Sequence, residues 1–211
     1  MERLVLFAKT PRLHEVKTRM VPRLTPEQAL ALHEAMLADQ TAFLKTLVTP
    51  GRTCEVCLDA QQGEGDLGAR MHRALSLAFS RGAKAAAILG ADAPTLPRAL
   101  VEDAFAHLSG GADAVVVPAH DGGYALVGAS HPVPVLFDGI PWGTALVLDT
   151  TRRFAAASGL VLAETAPWSD VDVEDDLPRL AGEIAADPSR APATASVLAD
   201  LGLYVPRNPM V

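Results

Sequence analysis

Cysteine is scarce in this sequence, long apolar runs are missing and positive charge is in deficit, and each shortage removes a class of protein. Cys54 and Cys57 are the only cysteines in 211 residues. A disulfide framework is therefore excluded, which suits a reducing compartment, and a cytoplasmic location is expected. No stretch approaches the roughly 18 consecutive apolar residues that span a bilayer. The start, Met1-Glu2-Arg3, leads straight into a short apolar run and lacks the usual build of a signal peptide. Membrane insertion is not expected. The net charge of −7 argues against non-specific nucleic-acid binding. The two cysteines form a C-x-x-C, but they fall in a predicted strand, where positions three apart face opposite sides. With no second pair and no nearby histidines, they cannot complete a tetrahedral zinc site. Of the six histidines, only His14 and His120 stand in candidate ligand loops, and neither has ligand spacing.

What is present is an ordinary globular composition, 49% hydrophobic and 20% charged, in a length that supports one substantial core. One domain is expected over residues 1–187, with a tail at 188–211 forming a short helix packed against it. Charge is unevenly spread. Residues 1–25 hold Arg3, Lys9, Arg12, Lys17, Arg19 and Arg23 against Glu2 and Glu15, a local +4, and the rest of the chain carries −11. A compact anion site near this end follows.

Short apolar runs alternate with helical patterns, the signature of a mainly parallel sheet covered by helices on both faces, a three-layer α/β/α fold. Strands are predicted at 3–8, 53–58, 85–89, 114–117, 124–127 and 160–163. The first helix begins at Thr25, Pro26 and Gln28, a capping box with proline in the first turn, and buries Leu32, Met36, Phe43 and Leu47. A Gln/Gly loop follows the second strand. Further helices are expected from Asp66 to Ser80 with a stop at Gly82, from about Arg98 to Leu108, from Thr144 as cap to Ala157, and from the acidic run at 170–176 to about Ala185.

Ligands gather at the carboxyl ends of strands in open α/β sheets. Three loops there are unusual. After the first strand, Lys9, Lys17 and Arg19 offer point charges and a planar fork that suit phosphate oxygens, although a solvated basic loop would read the same. After the third strand, Asp92 is placed to hold Mg²⁺ or Mn²⁺, or to bond its own turn. Late in the chain, Asp170 and Asp172 share a face if the segment is extended, and either could join Asp92; an acidic first turn would also simply complement the helix dipole. Asp121-Gly122-Gly123-Tyr124 permits close backbone approach to a ligand, or makes a glycine turn. Trp142 suits stacking on a ligand or packing at a helix start.

These segments occur as an ordered set: Phe-Ala-Lys-x-Pro at 7–11, Val-Lys-Thr-Arg at 16–19, Gly-Asp-Leu-Gly-x-Arg-Met at 65–71 and Gly-x-Asp-x-Pro at 90–94. Pro118, Asp-Gly-Gly-Tyr at 121–124, Pro-Trp-x-Thr at 141–144 and Asp-Val-Asp-x-x-x-Asp-Leu at 170–177 complete it. From Leu4 to about Leu177 the chain resembles a bacterial family of glycosyltransferase-like proteins with the GT-A nucleotide-diphospho-sugar transferase fold, a branch of which is linked to arsenosugar biosynthesis. It is also similar to the guanylyltransferases of deazaflavin and molybdenum-cofactor synthesis. The resemblance implies a nucleotide held by Phe7, Ala8, Lys9, Lys17, Arg19, Asp66 and Arg70. It implies a divalent metal on Asp92 and Asp172, and an acceptor or sugar facing Gly122, Gly123, Tyr124, Trp142 and Thr144. Lys17, Asp92 and Asp121 are the candidate catalytic residues, Asp121 as a base. Two departures stand out: Leu13-His14 replaces the usual Pro-Gly, and Val117 replaces the glycine expected before Pro118.

The leading expectation is a metal-dependent transferase that passes sugar from a nucleotide-diphospho-sugar to a small acceptor. A nucleotidyltransferase releasing pyrophosphate is the alternative. A catalytically silent nucleotide-binding protein is a third, kept open by His14. Oligomeric state and the identities of base, sugar and acceptor are not legible in the sequence.

Overall fold

The computed structural model describes residues 1–21 and 23–205. The chain runs β1 (Glu2–Ala8), α1 (Pro26–Thr46), β2 (Arg52–Leu58), α2 (Asp59–Gln62), α3 (Leu67–Ser80), β3 (Ala85–Gly90), α4 (Arg98–Ser109) and β4 (Ala114–Pro118). It continues through β5 (Tyr124–Ala129), α5 (Val147–Ala157), β6 (Leu162–Glu164), α6 (Leu177–Ala186) and α7 (Pro192–Asp200). The strands form one sheet in the order β2-β1-β3-β5-β4-β6. β5 is antiparallel to both neighbours and every other pair is parallel. The carboxyl ends of β1, β3 and β4 and the start of β5 therefore share one edge.

β3 and β4 are almost continuously apolar because helices cover both their faces. One face packs against α1 and α4 through Leu44, Leu47, Val101 and Phe105. The other packs against α3 and α5 through Met71, Leu75, Leu148 and Ala155. Cys54 lies on the first face and Cys57 on the second. Burial raises both thiol pKa values, so neither is an activated nucleophile.

The capping box at the start of α1 is present, Thr25 accepting from the Gln28 amide and Gln28 returning to the Thr25 amide at 2.8 Å. Several boundaries differ from expectation; β5 runs on to Ala129, and α6 starts at Leu177, after the acidic run. Thr144 does not cap α5: its hydroxyl donates to the Pro141 carbonyl, and the helix starts at Val147, where the Leu148 amide is satisfied by the carbonyl of Gly122 at 2.8 Å. The last strand begins at Leu162 and not at Leu160. The amides of Gly159 and Leu160 fold back onto Ala156 and Ala155 in a Schellman turn with Gly159 at φ +67°, which delays pairing with β4. The Gln/Gly loop after β2 contains the helical turn α2.

A third apolar cluster lies outside the sheet. It joins Met20 and Leu24, beyond the loop after β1, and Leu32 and Met36 of α1 to Val171, Leu177, Leu180 and Leu198. Buried Asp39 on α1 ties in α7, accepting from the Ala193 and Thr194 amides at 3.0 and 2.7 Å and from the Thr194 hydroxyl at 2.7 Å. The tail is thus helical over residues 192–200 and packs on α1, while its residues 206–211 lie outside the described residues. Asp39→Ala strands these donors and is expected to cost about 2 kcal/mol. That corresponds to a melting temperature lower by about 4–8 °C in a thermal unfolding scan. Among the described residues no helix is long and apolar enough to cross a membrane.

Candidate functional site

A cavity of about 490 Å³ opens at the carboxyl edge of β1, β3 and β4, under the loops that carry the sequence motifs. Its charged lining is balanced in number, Lys9, Lys17, Arg19 and Arg70 against Asp92, Asp121, Asp170 and Asp172. Apolar wall comes from Phe7, Leu67, Met71, Ile88 and Val127.

Lys17 is at the centre. It adopts the left-handed conformation, φ 48° and ψ 33°, which a side-chain-bearing residue rarely takes without a functional constraint. Its side chain is only 3% exposed, and the ammonium donates to the carboxylate of Asp92 and to the carbonyl of Val171. Asp92 is half-exposed to the cavity. Burial opposes its ionisation, but the Lys17 ammonium outweighs that, helped by Lys9, and holds the carboxyl below the usual aspartate range.

The late acidic segment is fastened from several directions. The Val171 amide donates to the Asp92 carbonyl at 2.9 Å, and the Trp168 amide to Pro118 at 2.9 Å. Arg179 donates to the Asp170 carbonyl. Asp176 accepts from the Asp172 and Val173 amides at 2.8 and 2.9 Å, which accounts for this acid as a helix-start clamp. Val171 is buried and its neighbours Asp170 and Asp172 both reach the cavity, the alternation an extended segment requires. The two acids are not equivalent. Asp172 pairs with Arg19 at 2.7 Å, in the open. Asp170 is pushed up to about 6 by burial and by the charges of Asp121, Asp92 and Asp172. Asp121 accepts from the Gly123 amide at 2.8 Å and faces the same space.

On the opposite wall Arg70 is held by Gln62 at 3.0 Å. Gln62 is buried, its amide nitrogen bridging the carbonyls of Ala8 and Cys57 at 3.0 and 3.1 Å. With both donors engaged there, its oxygen must face Arg70. His33, buried on α1, contacts the Lys9 carbonyl at 3.1 Å, and burial holds its pKa below the ordinary value, so the ring is neutral at pH 7.

Most of the residues singled out from the sequence meet here, but four do so differently or not at all. Asp66 is spent as the cap of α3, accepting from the Ala69 amide at 2.8 Å, and is not part of the wall. Gly122 lies behind the wall, its Cα against Ala145. Thr144 lines the cavity with its hydroxyl bound to Pro141. Tyr124 belongs to the wall, yet its hydroxyl is buried and meets no well-formed hydrogen-bond partner among the described residues. Trp142 packs edge-on to Tyr124, ring centroids 6.3 Å apart. A Cβ on Gly68 would stand 2.5 Å from the indole nitrogen and 2.2 Å from the Phe137 carbonyl oxygen, so this glycine lets Trp142 lie on α3.

His33 and Gln62 are not singled out by the sequence, and Gly68 has no role there beyond its place in a motif. The first two are single polar residues without ligand spacing. Gly68 carried a signal, its place in the Gly-Asp-Leu-Gly motif.

The replacement of glycine by His14 has a measurable cost. His14 sits at φ +64° in a turn closed by the Glu15 amide on the Arg12 carbonyl at 3.1 Å, the third position of a type II turn, where glycine is favoured. The loop keeps its left-handed turn and the histidine bears strain. His14→Gly should raise stability by about 0.5–1 kcal/mol, the relief of strain being partly offset by a more flexible unfolded chain. A denaturant midpoint that falls on this substitution would contradict it.

No curated protein matches the chain. Among solved structures, a “putative nucleotide-diphospho-sugar transferase” from Desulfovibrio desulfuricans G20 is 29% identical with a TM-score of 0.86, covering 96% of both chains. A cytidylyltransferase from Leptospira borgpetersenii serovar Hardjo-bovis is 10% identical with a TM-score of 0.51, covering 100% of this chain and 99% of the other, a likeness of fold alone. The three-layer sheet with its basic and acidic cavity is thus the nucleotide-diphospho-sugar transferase fold. A family model described as “Uncharacterized protein conserved in bacteria (DUF2064)” matches residues 25–144, more than half of the chain, and the protein belongs to that bacterial family.

Proposed function

We propose that the protein is a metal-dependent transferase that uses a nucleotide-diphospho-sugar as donor and a small molecule as acceptor. The observation that carries this reading is the charged lining of the cavity. Four basic side chains suit a diphosphate. Interleaved with them, Lys17 on Asp92 and Arg19 on Asp172, stand four carboxylates close enough together that one resists ionisation.

The carboxylates fit Mg²⁺ or Mn²⁺. Among the described residues no three His, Cys, Asp or Glu side chains form a ready-made cage. Mg²⁺ needs none, since it is commonly held by one or two carboxylates with phosphate oxygens and water filling the other positions. Asp92 with Asp170 is the pair we put forward in place of Asp92 with Asp172, the acid implied by the resemblance: among the described residues Asp170 has no cation of its own, Asp172 is paired with Arg19, and Asp92 is kept although Lys17 holds it in the ligand-free protein. A bound divalent ion would supply electrostatic stabilisation of charge on the leaving diphosphate.

The chain's own residues then divide the work. Lys17 and Arg19 bind the phosphates, with Lys9 at the mouth of the same loop. Lys17 also opposes negative charge as the glycosyl bond opens. Arg70, braced by Gln62, and the apolar wall of Phe7, Leu67 and Met71 receive the nucleoside. Trp142 and the Asp121–Gly123 turn face the acceptor side, with Asp121 as the general base. His14 takes the left-handed turn that a glycine would take, so its presence does not by itself argue for a silent binding protein.

The same arrangement serves nucleotidyl transfer, where an acceptor phosphate attacks the α-phosphate and no side-chain base is needed, and the fold is shared with a cytidylyltransferase. Product analysis separates the two. Release of a nucleoside diphosphate from a sugar donor supports glycosyl transfer, whereas pyrophosphate released from a nucleoside triphosphate overturns it in favour of the second reading. Arsenic-bearing acceptors belong in that assay, given the branch the sequence resembles.

A further inference from the structure

We propose that Lys17 is the resident cation of the acidic node in the ligand-free protein, and that it holds divalent metal off until nucleotide phosphate engages its ammonium. The inference rests on the reading of Asp92 and Asp170 as metal ligands and adds an order of assembly to it.

Lys17 lies in a left-handed turn with its side chain 3% exposed, so the ammonium is fixed within the node instead of sampling solvent. It bridges the two segments that would share a metal: Asp92 after β3, and Val171, whose flanking residues are Asp170 and Asp172. Those segments are already joined by the Val171 amide on the Asp92 carbonyl, so the space between them cannot widen freely. A divalent ion on the Asp92 carboxylate would stand beside a buried positive charge. In a crevice of this kind like charges a few ångströms apart repel far more strongly than they would in bulk water.

The loop repeats the device two residues on, where Arg19 neutralises Asp172. Two of the four cavity acids thus have a cation from the loop after β1. Among the described residues Asp170 and Asp121 have no ion-pair partner. An ammonium has three donors, and Asp92 and Val171 take two of them. The third is free to donate to a phosphate oxygen. Phosphate that reaches Lys17 and Arg19 offers new acceptors to both cations and loosens their hold on Asp92 and Asp172. It brings the negative charge that makes a divalent ion welcome as well. Metal and nucleotide then bind with positive coupling, each favouring the other.

The test measures Mn²⁺ uptake by the full chain without nucleotide, from the loss of the free-ion electron paramagnetic resonance signal. Four proteins are compared: wild type, Lys17→Met, Asp170→Asn, and Lys17→Met combined with Asp170→Asn. Lys17→Gln replaces Lys17→Met should the latter fail to fold. Wild type should bind Mn²⁺ weakly. Lys17→Met should bind it about tenfold more tightly or better, since a like charge has gone, and should lose affinity for a nucleoside diphosphate such as UDP or GDP. The double variant should lose the gain. Lys17→Met binding Mn²⁺ no more tightly than wild type overturns the proposal. If Asp170→Asn alone then still weakens Mn²⁺ uptake, the metal assignment stands and only the order of assembly falls. A gain that survives in the double variant places the ion elsewhere and overturns both.

Discussion

Asp170→Asn is expected to make the ligand-free protein more stable at pH 7 by about 1 kcal/mol, and to lower metal-dependent nucleotide affinity about 100-fold or more. The two effects have one cause. Burial and the neighbouring charges of Asp121, Asp92 and Asp172 push the Asp170 carboxyl up to about 6. In the unfolded chain it ionises near the ordinary value of 3.8. Between those limits the folded state binds the extra proton, so stability falls as pH rises. The favourable contribution is complete below about pH 4 and lost above about pH 6. Asparagine is uncharged throughout and removes this dependence. Asp92 acts with the opposite sign in a lower window: its folded pKa is depressed, so its contribution is present above 3.8 and lost as pH falls further. The expected result is a melting temperature about 2–4 °C higher for Asp170→Asn at pH 7, with the difference vanishing near pH 4. A variant less stable at pH 7 would show that Asp170 is a structural residue.

Gly122→Ala is expected to destabilise the protein by about 3 kcal/mol or more. Gly122 has φ +91°, which strains any side chain, and an added Cβ would lie 2.2 Å from the Ala145 carbonyl oxygen. That oxygen belongs to backbone and cannot rotate aside. The Gly122 carbonyl also accepts the first free amide of α5, from Leu148, so a shift here uncaps the helix and moves Trp142 and Gly143 at the cavity wall. In a chain of this size the loss corresponds to a melting temperature lower by about 6–12 °C. Gly123→Ala supplies the control. Its nearest neighbour is the flexible carboxylate of Asp121 at 3.2 Å, and the substitution should cost much less. Equal losses at the two positions would refute the steric account.

The contrast between these glycines shows where sequence reasoning ends. Asp-Gly-Gly-Tyr announces a tight turn, and the turn exists, but which glycine is compelled depends on Ala145, more than twenty residues away. The start of α5 was misplaced for the same reason, since its cap is a backbone carbonyl from another loop and Thr144 is occupied locally. Elements whose determinants are local were legible: the capping box at Thr25, Asp66 ahead of α3, the apolar runs of β3 and β4, and the opposed faces of Cys54 and Cys57. In the site, alternation put Asp170 and Asp172 on one face but could not separate them. Arg19 separates them, across 153 residues. The Lys17–Asp92 pair spans 75 residues, and only the resemblance to a known family had suggested that both act on one ligand.

The central claim is that this cavity binds a nucleotide with the help of a divalent ion. It is tested most directly by thermal unfolding of the wild type with a panel of nucleotide sugars and nucleoside triphosphates, each with and without Mg²⁺ or Mn²⁺, because a ligand that binds the native state raises its midpoint. A rise with one nucleotide sugar, present with metal, absent without it and lost in Asp92→Ala, is the predicted result. No rise with any ligand, or a rise indifferent to both metal and Asp92, would contradict it.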